Sequence, residues 1–462
     1  MHQTDSKFAV RSRRVVTPQA VAEATVLIAD GTIIDLLFGS SEAPAGFAVE
    51  DCGDAVIMPG LVDSHVHVNE PGRTEWEGFE TATRAAAAGG ITTIADMPLN
   101  SNPVTTTYDA LQKKLASTQG KLAVDCAFWG GVIPGNSGSL EEMIDAGVRG
   151  FKCFLIHSGI DDFPNATEAD LRKAMPILAK RGIPLLVHAE LECGESSHWE
   201  GEHGSYKSFV QSRPRRWENE AIKLMISLCR EFNCPVHIVH LSSSEAIPLI
   251  QQAKKEGLPF TTETCPHYLT FAAEEIADGD PRFKCAPPIR ERENREKLWQ
   301  AVQDGTIDFI VSDHSPCTPE LKFLSQGDLK KAWGGISSLQ FGLSVIWTEG
   351  QKRGATLNDL ARWMCENPAK FLHLDHSKGR LLPGFDADFI VFDPEAPQTI
   401  EQSGIHHRHK VTPYDGRNLS GLVERTYLRG EKIFDRGEFS PPRGRQILVE
   451  TKAGKKWKEV SI

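Results

Sequence analysis

The chain has 462 residues, of which 40% are hydrophobic and 24% are charged, and its net charge is −11. This composition is typical of a globular protein with one large domain or two. The acidic charge is spread along the chain, which argues against nucleic acid or an anionic membrane as the main partner. No apolar run reaches the ~18 residues of a transmembrane helix, and the N-terminus lacks the apolar core of a signal peptide. The ten scattered cysteines are interpreted as reduced thiols, so we expect a cytoplasmic protein.

The beginning and the end of the chain have the pattern of short strands joined by turns. Residues 24–29 are strand-like and precede the turn pair Asp30-Gly31, and residues 386–393 and 425–433 are also strand-like. The simplest assembly joins residues 1–54 and 379–462 in one small β-sandwich domain. The charged tail after Glu438 is expected either to pack over a surface or to be partly mobile.

Between these flanks, residues 55–378 alternate strand-like apolar runs with helix-like stretches. The strand candidates are residues 56–66, 92–97, 124–129, 150–155, 184–189, 236–241, 260–265 and 308–312. Such strand–helix units predict an α/β fold, a (β/α)₈ barrel of the TIM type. A doubly wound sheet is the alternative. It would concentrate functional residues at one crevice, whereas the candidates here follow many different strands.

The first of these runs ends in the pattern His-x-His, at His65 and His67. Side chains alternate faces along a strand, so both imidazoles point the same way. Two imidazoles on one side of a strand end suit the binding of one metal ion. Alone, the pair is equally consistent with two histidines in an exposed loop, so the interpretation depends on further residues.

Further candidate ligands lie at the carboxyl ends of later strand candidates, where barrel active sites are built: Lys152, His188, His240 and Asp313. Each alone has a structural explanation, since Asp313 also suits a helix N-cap. Together the histidines and the aspartate match the nitrogen and oxygen ligands of a zinc-type site. His237 has the opposite parity to His240 in the same strand, so we expect it to face the other way and to be structural.

Lys152 needs a separate chemical argument. A lone ammonium group inside a barrel is costly to bury, and neighbouring divalent cations would lower its pKa further. A neutral amine reacts with CO₂ to form an anionic carbamate, whose two oxygens suit a bridge between two metals. The hypothesis is therefore a carboxylated Lys152.

Several segments together resemble the cyclic amidohydrolases of the amidohydrolase superfamily, over almost the whole chain. They are residues 59–67, 70–73, 76–81, 89–93, 96–100, 150–154, 265–268, 287–290, 311–317 and 332–336. The resemblance implies that His65, His67 and Asp313 bind one divalent metal ion and that His188 and His240 bind a second. It also implies that carboxylated Lys152 bridges the two ions, for which zinc is expected, and that the protein is a homotetramer.

Within this family the chain most closely resembles the allantoinase branch. Dihydroorotases carry Arg at the position of Asn69, and hydantoinases carry Tyr at the position of Leu155, whereas allantoinases share the Lys-Cys-Phe of residues 152–154. The implied reaction is hydrolysis of the ring amide of allantoin to allantoate by a metal-bridged hydroxide, with Asp313 as general base and then acid. A hydantoinase or dihydropyrimidinase activity and a non-catalytic scaffold are the alternatives.

The expected substrate contacts rest on fewer residues. The candidates for binding the ring or the ureido group are Asn100, Cys285, Ser315, Gly334 and Gly335. The two glycines would let the main chain approach a flat ring closely, although a simple turn explains them equally well. Related enzymes often have Ser at the position of Ala286, so a main-chain contact is expected there.

Overall fold

The computed structural model describes residues 7–39, 42–194, 199 and 201–449. Its strands, in chain order, are β1 (Lys7–Val16), β2 (Val21–Ala29), β3 (Thr32–Phe38), β4 (Ala48–Asp51), β5 (Val56–Pro59), β6 (Leu61–Val66), β7 (Ile91–Asp96), β8 (Asp125–Phe128), β9 (Gly130–Gly131), β10 (Phe151–Phe154), β11 (Leu185–His188), β12 (Val236–Ile238), β13 (Phe260–Thr264), β14 (Phe309–Ile310), β15 (Phe389–Thr399), β16 (Asn418–Leu428), β17 (Glu431–Asp435) and β18 (Glu438–Phe439).

The helices are α1 (Phe79–Ala88), α2 (Tyr108–Ser117), α3 (Leu140–Asp145), α4 (Glu168–Arg181), α5 (Tyr206–Ser212), α6 (Arg215–Phe232), α7 (Ile247–Lys255), α8 (Pro266–Thr270), α9 (Arg292–Gln303), α10 (Gly342–Gln351), α11 (Leu357–Ala361) and α12 (Asn367–Phe371). Local sequence explains the bounds of α4. Thr167 and Asp170 form a capping box at its start, and Gly182 ends it with a φ of 68°. None of the described helices is long and apolar enough to cross a membrane.

Strands from both ends of the chain form one outer sheet in the order β18-β17-β16-β15-β5-β1-β2-β3, and β4 pairs with β1. Residues from distant strands of this sheet share one apolar core, which includes Val10, Val26, Ile57, Phe389 and Tyr427. The sheet therefore curls so that its N-terminal and C-terminal strands face each other. The predicted β-sandwich is confirmed, with both layers joined in a single hydrogen-bonded path.

The central part of the chain forms the predicted parallel barrel. Strands β6, β7 and β8 pair in that order, and β9 to β14 pair in sequence on the other side. The barrel closes where the main-chain N–H of His67 donates to the oxygen of His314 at 2.8 Å. It closes again where the N–H of Arg149 donates to Phe128 at 2.9 Å. The (β/α)₈ fold is thus confirmed, and the carboxyl ends of its strands meet at one rim.

The first predicted strand, residues 56–66, is in fact two strands that belong to different sheets. Strand β5 pairs with β1 and β15 in the outer sheet, whereas β6 pairs with β7 in the barrel. The chain passes from one to the other at Gly60, where a Cβ atom would lie 2.3 Å from the Thr92 side chain. The boundaries drawn at residues 54/55 and 378/379 stay predictions.

Part of the C-terminal tail packs against the barrel wall. The N–H of Cys126 in β8 donates to Arg445, and the N–H of Ile447 donates back to Cys126, both at 2.8 Å. The N–H of Val449 donates to Gly147 at 3.0 Å. These bonds give the outer edge of β8 a partner. Residues 450–462 of the tail lie outside the described residues.

A buried ion cluster joins the barrel to the outer sheet. The Lys378 ammonium lies 2.9 Å from Asp125 in β8, 2.5 Å from Asp388 and 3.1 Å from Asp386. Arg429 adds a second cation, 2.6 Å from Asp125. Burial opposes the charge on Lys378, but the Asp388 and Asp125 carboxylates raise its pKa above the ordinary value. Lys378 therefore holds together carboxylates that would otherwise repel one another.

We expect Lys378→Met to lower the free energy of unfolding by about 3–5 kcal/mol, because it leaves the buried Asp388 carboxylate without its cation. Urea unfolding measures this change. The matched control is Lys352→Met, which removes a lysine that is 61% exposed and pairs with Glu349 on the surface, and which should cost at most about 1 kcal/mol. Equal stability of the two variants would contradict the role given to Lys378.

Candidate metal centre and active site

The predicted ligands lie at or just beyond the carboxyl ends of the barrel strands. His65 is in β6, Lys152 is in β10, and His188 is the last residue of β11. His240 and Asp313 follow β12 and β14, and both have a left-handed backbone, with φ values of 40° and 45°. Non-glycine residues with such backbones are uncommon and cluster at functional sites. These turns direct both side chains back over the end of the barrel.

The ligand atoms converge in two adjoining groups. In the first, Asp313 Oδ1 lies 3.2 Å from His65 Nε2 and 3.7 Å from His67 Nε2. Lys152 Nζ lies 3.3 Å from the same His65 nitrogen.

In the second group, His188 Nδ1 lies 3.0 Å from His240 Nε2. The His65 and His240 rings, whose centroids are 5.4 Å apart, connect the two groups. The structure therefore brings together every ligand predicted from the sequence.

Burial decides the charge state of this cluster. Burial lowers the pKa of Lys152 to about 8, although the negative charges of Asp313 and Glu263 act to raise it. Burial also raises the pKa of Asp313 to about 8, although the positive charge of Lys152 acts to lower it. The pKa values of His65 and His240 lie well below the ordinary value, because burial disfavours the imidazolium. Neutral imidazoles are the form that binds metal ions.

Buried carboxylates orient two of the histidines from behind. Glu263 Oε1 lies 2.5 Å from His65 Nδ1, which leaves His65 Nε2 directed at the cluster. Glu190 Oε2 lies 2.7 Å from His188 Nε2, which leaves His188 Nδ1 directed at the cluster, and Arg213 Nε donates to Glu190 at 3.0 Å. Burial opposes ionisation of Glu190, but Arg213 and His188 lower its pKa below the ordinary value. Carboxylate–histidine pairs of this kind fix the ring nitrogen that faces a metal.

The donor set fits divalent cations. Four imidazoles, a carboxylate and a desolvated lysine offer the nitrogen and oxygen ligands that zinc and similar ions prefer. His65, His240 and Asp313 each present a ligand atom within 4.8 Å of the other two. A cation about 2.0–2.2 Å from each atom is compatible with such spacing.

A cavity of about 270 Å³ lies above the cluster. His67, Lys152, His188, His240 and Asp313 form part of its lining. The rest of the lining includes four of the predicted substrate residues, Asn100, Ser315, Gly334 and Gly335, and also Phe154, His157, Arg213, Lys284, Ala286 and Trp333. A small ring can therefore lie directly over the ligand cluster.

Comparison with known proteins agrees with this architecture. The sequence pattern of the amidohydrolase family matches residues 56–433. The chain belongs to the amidohydrolase family. Allantoinase from Streptomyces avermitilis is 49% identical over 97% of this chain and 100% of its own length, and allantoinase from Saccharomyces cerevisiae is 43% identical over 95% and 98%. The L-hydantoinase (dihydropyrimidinase) structure from Arthrobacter aurescens has a TM-score of 0.90 at 32% identity, and covers 96% of this chain and 100% of its own.

The resemblance to the allantoinase branch that the motifs indicated is thus confirmed for this amidohydrolase. Amidohydrolase and hydantoinase relatives imply a binuclear metal site, and the described residues supply histidine and aspartate groups suited to one.

Sequence reasoning was wrong about the direction of His237. The side chain faces the barrel interior, where its Nε2 lies 3.1 Å from Glu263 and its ring lies 4.2 Å from that of Phe371. The parity argument assumed an unbroken strand from 237 to 240, but β12 ends at Ile238 and His240 has a positive φ.

Cys285 does not line the cavity of the amidohydrolase, although it was predicted to contact substrate. Its thiol is buried and donates to the oxygen of Pro287 at 3.4 Å, and the next residue, Ala286, lines the cavity instead. The two positions that distinguish the branches, Asn69 and Leu155, are also buried away from the cavity. Asn69 Nδ2 donates to the oxygen of Pro316 at 3.2 Å.

Sequence reasoning also missed Asp63, Glu190, Arg213 and Glu263. Asp63 accepts the N–H groups of His65 and Ser312, each at 3.0 Å, and so ties β6 to the turn that carries Asp313. These residues could have been found from the sequence, because a charged residue within or beside an apolar strand is buried and a buried carboxylate needs a partner.

We expect Glu263→Gln to weaken metal binding by about 10–100-fold, because a neutral amide lacks the negative charge that makes His65 a stronger ligand and can present either its oxygen or its nitrogen to the ring. Metal content after dialysis against a chelator series measures this change. The control is Glu293→Gln, at a glutamate that is 80% exposed. Equal metal retention by both variants would remove Glu263 from the support of the site.

Proposed function

We propose that this amidohydrolase hydrolyses the ring amide of allantoin to allantoate, a step in the breakdown of purines. The observation that carries the proposal is the convergence of the ligand residues under a small cavity, in a chain that aligns from end to end with allantoinases. Allantoinases from Arabidopsis thaliana and Bacillus licheniformis, at 45% and 39% identity, support the same activity.

We propose that His65, His67 and Asp313 hold one zinc ion and that His188 and His240 hold a second. When bound, such ions supply an activated water and positive charge beside the reacting carbonyl. The chain's own contribution is to hold the ligands apart from bulk water and in fixed directions, through Glu263 behind His65 and Glu190 behind His188.

Lys152 is proposed to carry a carboxyl group on Nζ. The ammonium would first release a proton, and the neutral amine nitrogen would attack the carbon of CO₂. An N–C bond forms as one C=O π bond opens to an oxyanion, and the nitrogen releases a second proton, so that an anionic carbamate replaces a cation. Two observations support this modification. Lys152 is fully buried with a pKa lowered to about 8, and among the described residues no carboxylate lies within ion-pair distance of its Nζ.

Asp313 is proposed to accept a proton from the attacking water and to deliver it to the leaving ring nitrogen. Its carboxylate lies on the cavity floor beside His65 and His67, and burial raises its pKa to about 8. A raised pKa suits a group that must take up and release a proton near neutral pH.

The polar lining suits a substrate with a ureido arm. Asn100 Oδ1 and Trp333 Nε1 are both buried without a hydrogen-bond partner among the described residues, and both residues line the cavity. We propose that Asn100 accepts a ureido N–H and that Trp333 donates to a carbonyl oxygen. Ser315, Gly334 and Gly335 would contact the ring. Ala286 would contact it as well, whereas the neighbouring Cys285 would not.

We also propose that the protein is a homotetramer and that it is located in the cytoplasm. The tetramer rests on family resemblance, and the location is supported by the ten cysteines, all of which are unpaired.

A panel of allantoin, hydantoin, dihydrouracil and dihydroorotate tests the substrate. We expect kcat/KM for allantoin to exceed each of the others by at least ~100-fold, the size of two lost hydrogen bonds. The other three substrates lack the ureido arm and would leave Asn100 Oδ1 and Trp333 Nε1 in the cavity without hydrogen-bond partners. If any of the other three substrates matches allantoin, the allantoin assignment is wrong.

Lys152→Ala tests the bridge. We expect loss of most bound metal and most activity, because both ions lose an anionic ligand, and partial recovery of rate when small carboxylic acids are added. Mass spectrometry of the native protein should show the additional CO₂. A variant that keeps two metals and normal turnover would exclude Lys152 from the site.

A further inference from the structure

Two chain segments form one side of the active-site cavity, and a buried lysine joins them. The segments are residues 281–286, which include the cavity residues Lys284 and Ala286, and residues 332–335, which include Trp333, Gly334 and Gly335. We call the two segments together the cavity wall. Lys322 is the last residue of a short 3₁₀ turn, Pro319–Lys322, and its side chain lies between them.

The Lys322 ammonium is surrounded by main-chain carbonyl oxygens of both segments. Nζ lies 3.4 Å from the oxygens of Pro281 and Lys284, which belong to the first segment. It lies 3.0 Å from the oxygen of Trp333 and also donates to the oxygen of Gly335, in the second segment. Three N–H donors are thus shared among four acceptors on two segments far apart in sequence.

This arrangement has no ionic explanation. Lys322 is 4% exposed, and among the described residues no carboxylate lies within ion-pair distance of it. Burial alone lowers its pKa from the ordinary value. A buried ammonium is costly unless its donors are satisfied, so the carbonyl cage has to be well formed for Lys322 to remain charged.

Further hydrogen bonds join the two segments to each other, and Gly335 packs the wall against the rest of the rim. Lys284 Nζ donates to the oxygens of Ala332 at 2.5 Å and Lys330 at 3.2 Å, and the N–H of Gly335 donates to Lys284 at 2.9 Å. A Cβ atom at Gly335 would lie 2.2 Å from the oxygen of Ser315, another cavity residue. The wall is therefore packed tightly against the turn that follows Asp313.

We propose that Lys322 is a positioning residue for substrate: its ammonium clamps the two segments and so fixes the wall against which the substrate ring and its ureido arm bind. The inference rests on the proposed allantoinase function. Lys322 lies outside the cavity lining and touches none of the metal-ligand residues, so its loss should impair substrate binding and leave the metal centre intact.

The test compares Lys322→Met with wild-type holoenzyme in allantoin hydrolysis. Met keeps the length and apolar character of the side chain but removes all three donors. We expect KM to rise by at least ~10-fold, the size of one lost hydrogen bond, while kcat changes less than ~3-fold and metal content stays at the wild-type value. The control is Lys330→Met, an exposed lysine at the edge of the wall, which should leave KM unchanged.

Lys322→Gln is the second variant, because its amide keeps two donors for the cage. It should fold and give a KM between those of wild type and Lys322→Met. An unchanged KM in Lys322→Met overturns the proposal, as does equal loss of kcat and bound metal. Failure of both variants to fold also overturns it, since Lys322 would then serve overall stability. If the wild-type enzyme itself fails to hydrolyse allantoin, the proposed function is wrong instead.

Discussion

The hydrogen bond between Glu263 and His65 is the interaction on which the rest of the site depends. An imidazole offers a metal only the nitrogen that its other contacts leave free, and Glu263 fixes which one that is. Glu263 lies in β13 and also contacts His237 of β12, so one carboxylate positions side chains from two other barrel strands, β6 and β12. Asp63 acts similarly on the main chain, since it holds β6 to the turn before Asp313.

These supporting carboxylates are themselves expensive to bury. Burial raises the pKa of Glu263 to about 8 and that of Asp63 to about 6, so the ionised form of each carboxyl group needs hydrogen-bond donors to be stable. Their hydrogen-bond partners are His65 and the main chain beside Asp313, both parts of the site. The free energy spent on burying these carboxylates therefore fixes the geometry of the site. Glu190 differs, because Arg213 supplies a full positive charge beside it.

Different kinds of interaction stabilise the floor and the wall of the cavity. The floor is built from paired and ionisable side chains on strand ends, whereas the wall depends on main-chain carbonyls gathered by ammonium groups at Lys322 and Lys284. The two parts of the cavity consequently rest on separate sets of contacts. This separation is compatible with the close structural match to a hydantoinase at only 32% identity.

The sequence by itself determined the barrel, the outer β domain and the residues that converge at the candidate metal centre. Short apolar runs with polar residues at their ends are local signals, and they are strong because burial on both faces of a barrel strand leaves few polar residues to consider. Only the tertiary structure decided how the supporting residues act. Parity counting misplaced His237 because strand β12 ends early, the Cys285 thiol turned away to Pro287, and nothing in the local pattern connects Lys322 with Pro281 or Gly335. Those contacts join segments far apart in the chain, and a hydrogen bond between distant residues leaves no periodic trace in either segment.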